Sequence, residues 1–306
     1  MAVSALIAVD RFSFAQDASP PLSGTSGKAF RAVEDQKHLH NAYIVTDQVI
    51  SGAQPDDDAA FQALRDLGVK TIISVDGAKP NAELAHRYGM RYIHLPIGYD
   101  DVPAERGKEI AKAIEEMPGP IYVHCHHGKH RSAAAVAVAC VMSGQLKPEQ
   151  AESVLKTFGT GANYTGLWKA ARDARPVGQQ SLKSLDVTYV EYTKLSELAA
   201  SMVAVDQRFD HLKLAQKNGW RAPADHPDID PPHEALQMQE HFHEMGRLDE
   251  IASRPADFRK WLVESDDASR SLHEALKASP ISVQAADAAF NRVNTSCTAC
   301  HKAYRD

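Results

Sequence analysis

At 306 residues the chain is longer than one hydrophobic core ordinarily organises, so two folding units are expected. Hydrophobic residues at 43% and charged residues at 24% are the balance of a soluble globular protein. A net charge of −6 with no block of like charge excludes nucleic acid and membrane surfaces as expected partners, and no stretch approaches the ~20 apolar residues of a transmembrane segment.

The first 30 residues read as a flexible N-terminus holding a candidate signal peptide. Residues 1–9 are a short apolar run, Ser13-Phe14-Ala15 offers a cleavage site, and residues 16–30 are rich in Ser, Pro, Gly and Asp. The positive n-region of a secretory signal is lacking. Next, residues 42–50 read as one or two strands. Residues 57–67 read as a helix whose N-terminal Asp residues suit its dipole. The β-branched run 69–75 predicts a buried strand, 82–88 a short helix and 91–97 another strand. A helix over 104–116 stops before Pro118-Gly119-Pro120, and 121–124 is the last strand. This alternation predicts an α/β domain, a central mostly parallel sheet flanked by helices.

Helices follow over 132–175, and 176–180 reads as a linker, so the first unit is placed at 31–178. From there to the end only helical periodicity remains. Leu195, Leu198, Met202, Val205, Phe209 and Leu212 form one apolar stripe, and Met238, Phe242, Met245, Leu248 and Ile251 a second. Phe258, Leu262, Ala268, Leu272 and Leu276 form a third, and Val283, Ala286, Phe290, Val293, Cys297 and Cys300 a fourth. Four stripes without strand signals predict an all-α four-helix bundle over 182–306. Most of the acidity lies here: from Ser181 onward, 15 Lys+Arg face 20 Asp+Glu.

Residues 124–132 read His-Cys-His-His-Gly-Lys-His-Arg-Ser between the last strand and a helix. Strand, Cys-x5-Arg and helix together make an anion trap. Backbone N–H groups of 126–131 can turn inward, and the helix N-terminus points its positive end at the same spot. That field favours a thiolate at Cys125. Gly128 lets the backbone approach the ligand, and the planar fork of Arg131 can clamp two phosphate oxygens. Ser132 can hydrogen-bond the sulfur. His126, His127, Lys129 and His130 surround the cradle with basic groups, which suits a substrate carrying several phosphates; packing roles are the alternative. A zinc site from His124, His126, His127 and His130 is disfavoured, because a tight loop holds them in divergent directions. Cys140 is about 12 Å along the helix from its start at Ser132, too far to pair with Cys125, and reads as core.

The motif His-Cys-x-x-Gly-x-x-Arg-Ser resembles that of the protein tyrosine and dual-specificity phosphatase superfamily, with the likeness running over about 42–158 and including Ser51-Gly52-Ala53-Gln54-Pro55. The resemblance implies phosphomonoester hydrolysis through a cysteinyl-phosphate at Cys125, with His124 in the motif and no cofactor for this reaction. It also implies a general acid before the last helix and strand, where Asp100 and Asp101 stand, Asp100 nearer the strand end. The substrate implied is a phosphorylated protein or a small molecule such as an inositol phosphate.

Cys297-Thr298-Ala299-Cys300-His301 is the attachment pattern of a c-type haem: two thioethers hold one porphyrin, and His301 ligates iron. No second cysteine pair exists to complete a zinc site. The region 185–306 then resembles the cytochrome c′ and cytochrome c-556 group, down to Tyr304-Arg305. The resemblance implies a residue on the first helix facing the distal side of iron; Met202 is the candidate, with core filler as the alternative. It implies a periplasmic or otherwise extracytoplasmic location, a redox partner and a bundle able to dimerise. Two functional readings follow: a phosphatase with a haem domain for redox sensing, gas sensing or electron transfer, or a non-catalytic phosphate-binding domain attached to an electron-transfer cytochrome.

Overall fold

The computed structural model describes residues 30–304, so the candidate signal peptide, nearly all of the expected flexible lead-in and Arg305 lie outside the described residues. The first unit runs β1 (Arg31–Ala32), β2 (Tyr43–Ile44), β3 (Val49–Ala53), α1 (Asp58–Asp66), β4 (Thr71–Ser74), α2 (Ala82–Arg87), β5 (Arg91–His94), α3 (Ala104–Glu116), β6 (Ile121–Cys125), α4 (Arg131–Met142), α5 (Ala151–Phe158), α6 (Thr165–Asp173) and α7 (Gln179–Lys183). Its sheet has the order β1-β2-β3-β6-β4-β5. The pairs β3–β6, β6–β4 and β4–β5 are parallel, while β1–β2 and β2–β3 are antiparallel. The sheet is therefore mixed, with a parallel centre.

Local chemistry explains the element ends. Asp57 caps α1 by accepting from the Ala60 N–H at 2.8 Å, and Asn81 caps α2 from the Leu84 N–H at 3.1 Å. β6 is buried on both faces, Ile121 and Val123 in one apolar core and Tyr122 in another, and α4 is sunk into the first of these through its alanines and valines. Parallel pairing brings the C-terminal ends of β3, β6 and β4 to one sheet edge, with Ala53 beside Cys125 and Ser74 beside His124. Open α/β sheets bind ligands at that edge.

The segment expected to be a linker is partly structured. α7 covers Gln179–Lys183, and Leu182, assigned from sequence to the second unit, is buried in the first core together with partly buried Leu185 and Tyr189. The chain then straps across the outer edge of β5. The His94 N–H donates to Val190 O at 2.9 Å, and Thr193 donates from N to His94 Nδ1 at 3.0 Å and from Oγ1 to His94 O at 2.9 Å. A covered edge strand cannot pair with another chain.

The second unit comprises α8 (Glu197–Lys217), α9 (Pro231–Met245), α10 (Asp249–Ala252), α11 (Ala256–Lys277) and α12 (Val283–Tyr304). Its core holds Leu198, Val205, Leu212, Met238, Phe242, Leu262, Leu272, Phe290 and Val293. Three details differ from the periodicity. Leu195 precedes α8 and sits by Gly77 of the first unit, where a Cβ would lie 2.9 Å from its Cδ1. The second stripe breaks after Met245, and Leu248 caps the separate α10. Val283 begins α12 but is 49% exposed. In the loop between α8 and α9, Trp220 is buried, donates from Nε1 to Asp287 Oδ1 at 3.1 Å and packs edge-on against Phe290. No helix among the described residues is long and apolar enough to cross a membrane.

Candidate functional site

Cys125 ends β6, and its sulfur is buried at the floor of a loop that closes onto the N-terminus of α4. Cys125 Sγ and Ser132 Oγ are hydrogen-bonded at 3.4 Å, and Ser132 Oγ lies 3.5 Å from Gly52 O. Arg131 starts α4, nearly buried, with its guanidinium 4.3 Å over the Tyr99 ring. Its Nε has no protein partner. Burial works against the charge, but Tyr99, Cys125, Asp76 and Asp206 together outweigh it and hold the guanidinium firmly protonated. A buried, unpartnered donor whose charge is felt by a buried thiol is the arrangement an anion would complete.

Residues far away in sequence hold the loop in shape. Asn41 Nδ2 donates to Gly128 O at 2.8 Å and to Phe158 O at 3.0 Å. Thr160 Oγ1 donates to Lys129 O at 2.5 Å, the Gly161 N–H donates to His130 Nδ1 at 3.3 Å, and the Gln54 N–H donates to His126 O at 3.2 Å. Gly128 has φ +66°, and a Cβ there would stand 2.3 Å from Ala53 N and Gly52 C. This revises the reason for that glycine: its missing side chain makes room for the β3 backbone, not only for a ligand.

The histidines of the motif separate. His124 is buried; its Nε2 meets Tyr92 Oη at 2.6 Å, and its Nδ1, 4.0 Å from Asp76 Oδ2, has no hydrogen-bond partner. Burial pushes its pKa down to about 4, so the ring is neutral at physiological pH. His130 packs against Tyr164, ring centroids 4.3 Å apart. His126 and His127 lie together, centroids 4.3 Å apart, and both face Asp210 of α8: His126 Nε2 is 3.0 Å and His127 Nε2 3.7 Å from Asp210 Oδ2. Lys129 is exposed. The four basic side chains expected around the cradle therefore point three ways, and two of them meet an acid from the second unit. Burial would raise the Asp210 pKa, but hydrogen bonds from His126 and Lys213 hold it far below the carboxylate range. Sequence reasoning missed Asp210, which lies 84 positions from His126 on a helix with no motif.

The candidate acids occupy the 98–102 loop, both exposed. Asp101 Oδ1 accepts from the Val102 N–H at 2.8 Å. Asp100 folds toward Gly98, where a Cβ would stand 2.2 Å from its Oδ1, and its carbonyl rests against Gly166 of α6. Cys140 is buried in α4, its thiol pushed up to about 12 by burial, in keeping with a core role.

In the second unit Cys297, Cys300 and His301 share one face of α12, since offsets of three and four residues return to the same side of a helix. All three are half-buried. Cys297 and Cys300 pack against the bundle core, as do Met202 and Phe209 of α8, and Phe209 stacks on Phe290 of α12 at 4.8 Å. Burial pushes the Cys297 thiol up to about 11 and also raises that of Cys300. The bundle closes closely through α8–α9, α9–α11 and α11–α12, whereas α8 and α12 approach far less. Two thiols, an imidazole, flanking aromatics and a loosely closed side fit a flat porphyrin held by thioethers. Beneath them Ser265 Oγ and Ser296 Oγ form a buried pair at 2.8 Å. The serine interrupting the third stripe was the available signal for it.

Residues 49–145 match the family model described as Polymorphic toxin system, DSP-PTPase phosphatase, and residues 235–305 match that of Cytochrome C′. The chain thus carries a phosphatase-like domain of the dual-specificity type and a cytochrome c′ domain. Among solved structures, TpbA of P. aeruginosa is similar at 20% identity and TM-score 0.43, over 52% of this chain and 96% of that one. A putative phosphatase of Shewanella putrefaciens CN-32 has 17% identity and TM-score 0.39, over 47% and 99%. The core catalytic domain of the PP-IP phosphatase SIW14 of S. cerevisiae has 17% identity and TM-score 0.35, over 48% and 86%. No curated protein matches the chain.

Proposed function

We propose that the first unit hydrolyses phosphomonoesters through a cysteinyl-phosphate on Cys125. The carrying observation is a buried sulfur hydrogen-bonded to Ser132 Oγ at 3.4 Å, together with a buried Arg131 Nε that has no protein partner. Cys125 attacks phosphorus as the P–O bond to the leaving group breaks. Arg131 and the loop N–H groups hold the equatorial oxygens. Asp100 is the favoured acid for the leaving oxygen, since Asp101 already accepts from the Val102 N–H. The same carboxylate then takes a proton from the water that cleaves the P–S bond, and the Ser132 hydroxyl donates to the departing thiolate. The substrate class is a phosphorylated protein or an inositol phosphate.

In the second unit, Cys297 and Cys300 would hold one haem c through thioethers, with His301 as an iron ligand and Met202 as a second candidate ligand. When bound, this group supplies one-electron redox chemistry and an iron site for a small gas. Haem attached in this way would be joined after export, which supports a periplasmic or otherwise extracytoplasmic location. α8 borders both sites: Met202 packs on the bundle core, while Asp210 meets the phosphate loop. The haem domain therefore serves as a sensor for the phosphatase.

Protein matured with the c-type haem machinery should show a Soret band and hydrolyse an aryl phosphate, with turnover abolished in Cys125→Ser. Wild-type protein that binds phosphate without turnover would leave the phosphate-binding reading instead. Equal turnover with ferric and ferrous haem would remove the sensor role and leave the hydrolase intact.

A further inference from the structure

The contact between the two units brings together two imidazoles and a carboxylate that neither proposed reaction uses. His126 Nε2, His127 Nε2 and Asp210 Oδ2 all lie within 4.8 Å of one another. Neighbouring ligand atoms of a tetrahedral zinc ion, with bonds of ~2.0–2.2 Å, stand about 3.3–3.5 Å apart. The separations of 3.0 and 3.7 Å from Asp210 Oδ2 bracket that spacing.

The surroundings are those of a ligand set. Lys213 Nζ holds the other carboxylate oxygen, Oδ1, at 2.5 Å, which leaves Oδ2 to face the two rings. Ligating carboxylates commonly have such an outer partner. Asp206, one turn earlier on α8, adds negative charge felt by both histidines and offsets the Lys213 ammonium. Side-chain exposures of 30% for His126, 48% for His127 and 22% for Asp210 leave an entry path and a fourth position for water. The histidine-only zinc site weighed from the sequence fails because His124 and His130 point elsewhere. The third protein ligand comes from the bundle instead.

We propose that His126, His127 and Asp210 form a binding site for a divalent transition-metal ion of the zinc class, tying the phosphate loop to the first helix of the haem domain. Three protein ligands and one open position suit zinc geometry, and nitrogen-plus-carboxylate donors suit its borderline softness. The site stands on geometry alone, whether or not Cys125 turns over.

The test is calorimetric titration of zinc into the full-length haem-loaded protein, with zinc X-ray absorption on the bound state. One zinc is expected, with a shell of nitrogen and oxygen and no sulfur. Asp210→Asn should weaken binding at least about ten-fold. Asp210→His, which restores a third ligand, should retain it, and so should Cys125→Ser. Circular dichroism and the Soret band check that each variant is folded. Equal affinity in Asp210→Asn, a sulfur ligand in the zinc shell, or the absence of zinc binding to the wild-type protein would overturn the assignment.

Discussion

The loop from Cys125 to Ser132 and the helix α12 both hold a few reactive side chains in register, by opposite means. In the loop, Cys125, Arg131 and Ser132 are placed by Asn41, Gly52, Thr160 and Gly161, residues scattered across the first unit. In α12, Cys297, Cys300 and His301 are placed by helix pitch alone, with the Ser265–Ser296 pair beneath them. A site on one helix needs only that the helix form. A site on a loop needs the whole sheet edge to be built first, because a loop has no repeating hydrogen bonds of its own.

Three changes would break or sharpen that contrast. The largest effect is expected from Arg131→Lys, which keeps the charge but loses the planar fork. Turnover of an aryl phosphate should fall about 10²–10³-fold in kcat, with the haem spectrum unchanged. A much smaller loss would show that the planar fork of Arg131 contributes less to turnover than the proposed mechanism asks of it.

Acid comes next, and it should strike the first unit. Unfolded His124 takes up a proton near pH 6.5, whereas the folded, buried ring does so only near pH 4. Between those values the unfolded state binds more protons, so stability falls as pH drops through that window, by about 3 kcal/mol in full. His94, whose pKa burial also lowers, acts in the same direction. Urea unfolding at pH 7 and pH 4.5 measures it, and His124→Gln should flatten the profile. An unchanged slope in that variant would assign the acid sensitivity elsewhere.

The smallest effect is expected in the bundle. Ser265→Ala removes the 2.8 Å bond to Ser296, but Ser296 Oγ keeps its donation to Val293 O at 2.9 Å. The loss should be about 1 kcal/mol in thermal unfolding followed at the Soret band, with phosphatase turnover untouched. A loss of several kcal/mol would mean that the serine pair positions the attachment turn.

Much of this molecule is legible along the chain, for identifiable reasons. Alternating β-branched runs and helical stripes announce an α/β unit followed by helices, since burying one face imposes a period on the residues that face the core. Cys125 to Ser132 and Cys297 to His301 are contiguous, so both motifs can be read from spacing. The breaks were less legible. The end of the second stripe at Met245 and the exposure of Val283 depend on what packs opposite, and hydrophobicity does not record that.

By itself the sequence determined two fold classes, a Cys-x5-Arg-Ser motif, and a thiol pair with its histidine. Each depends on neighbours within about nine positions, where covalent connection and helix or strand pitch settle the geometry. Only the tertiary structure decided that Gly128 yields to the β3 backbone, that His124 is sealed against Tyr92, and that His126 and His127 meet Asp210 across the two units. Those contacts join residues tens of positions apart, and such partners are chosen by the packing of whole elements, which no local pattern encodes.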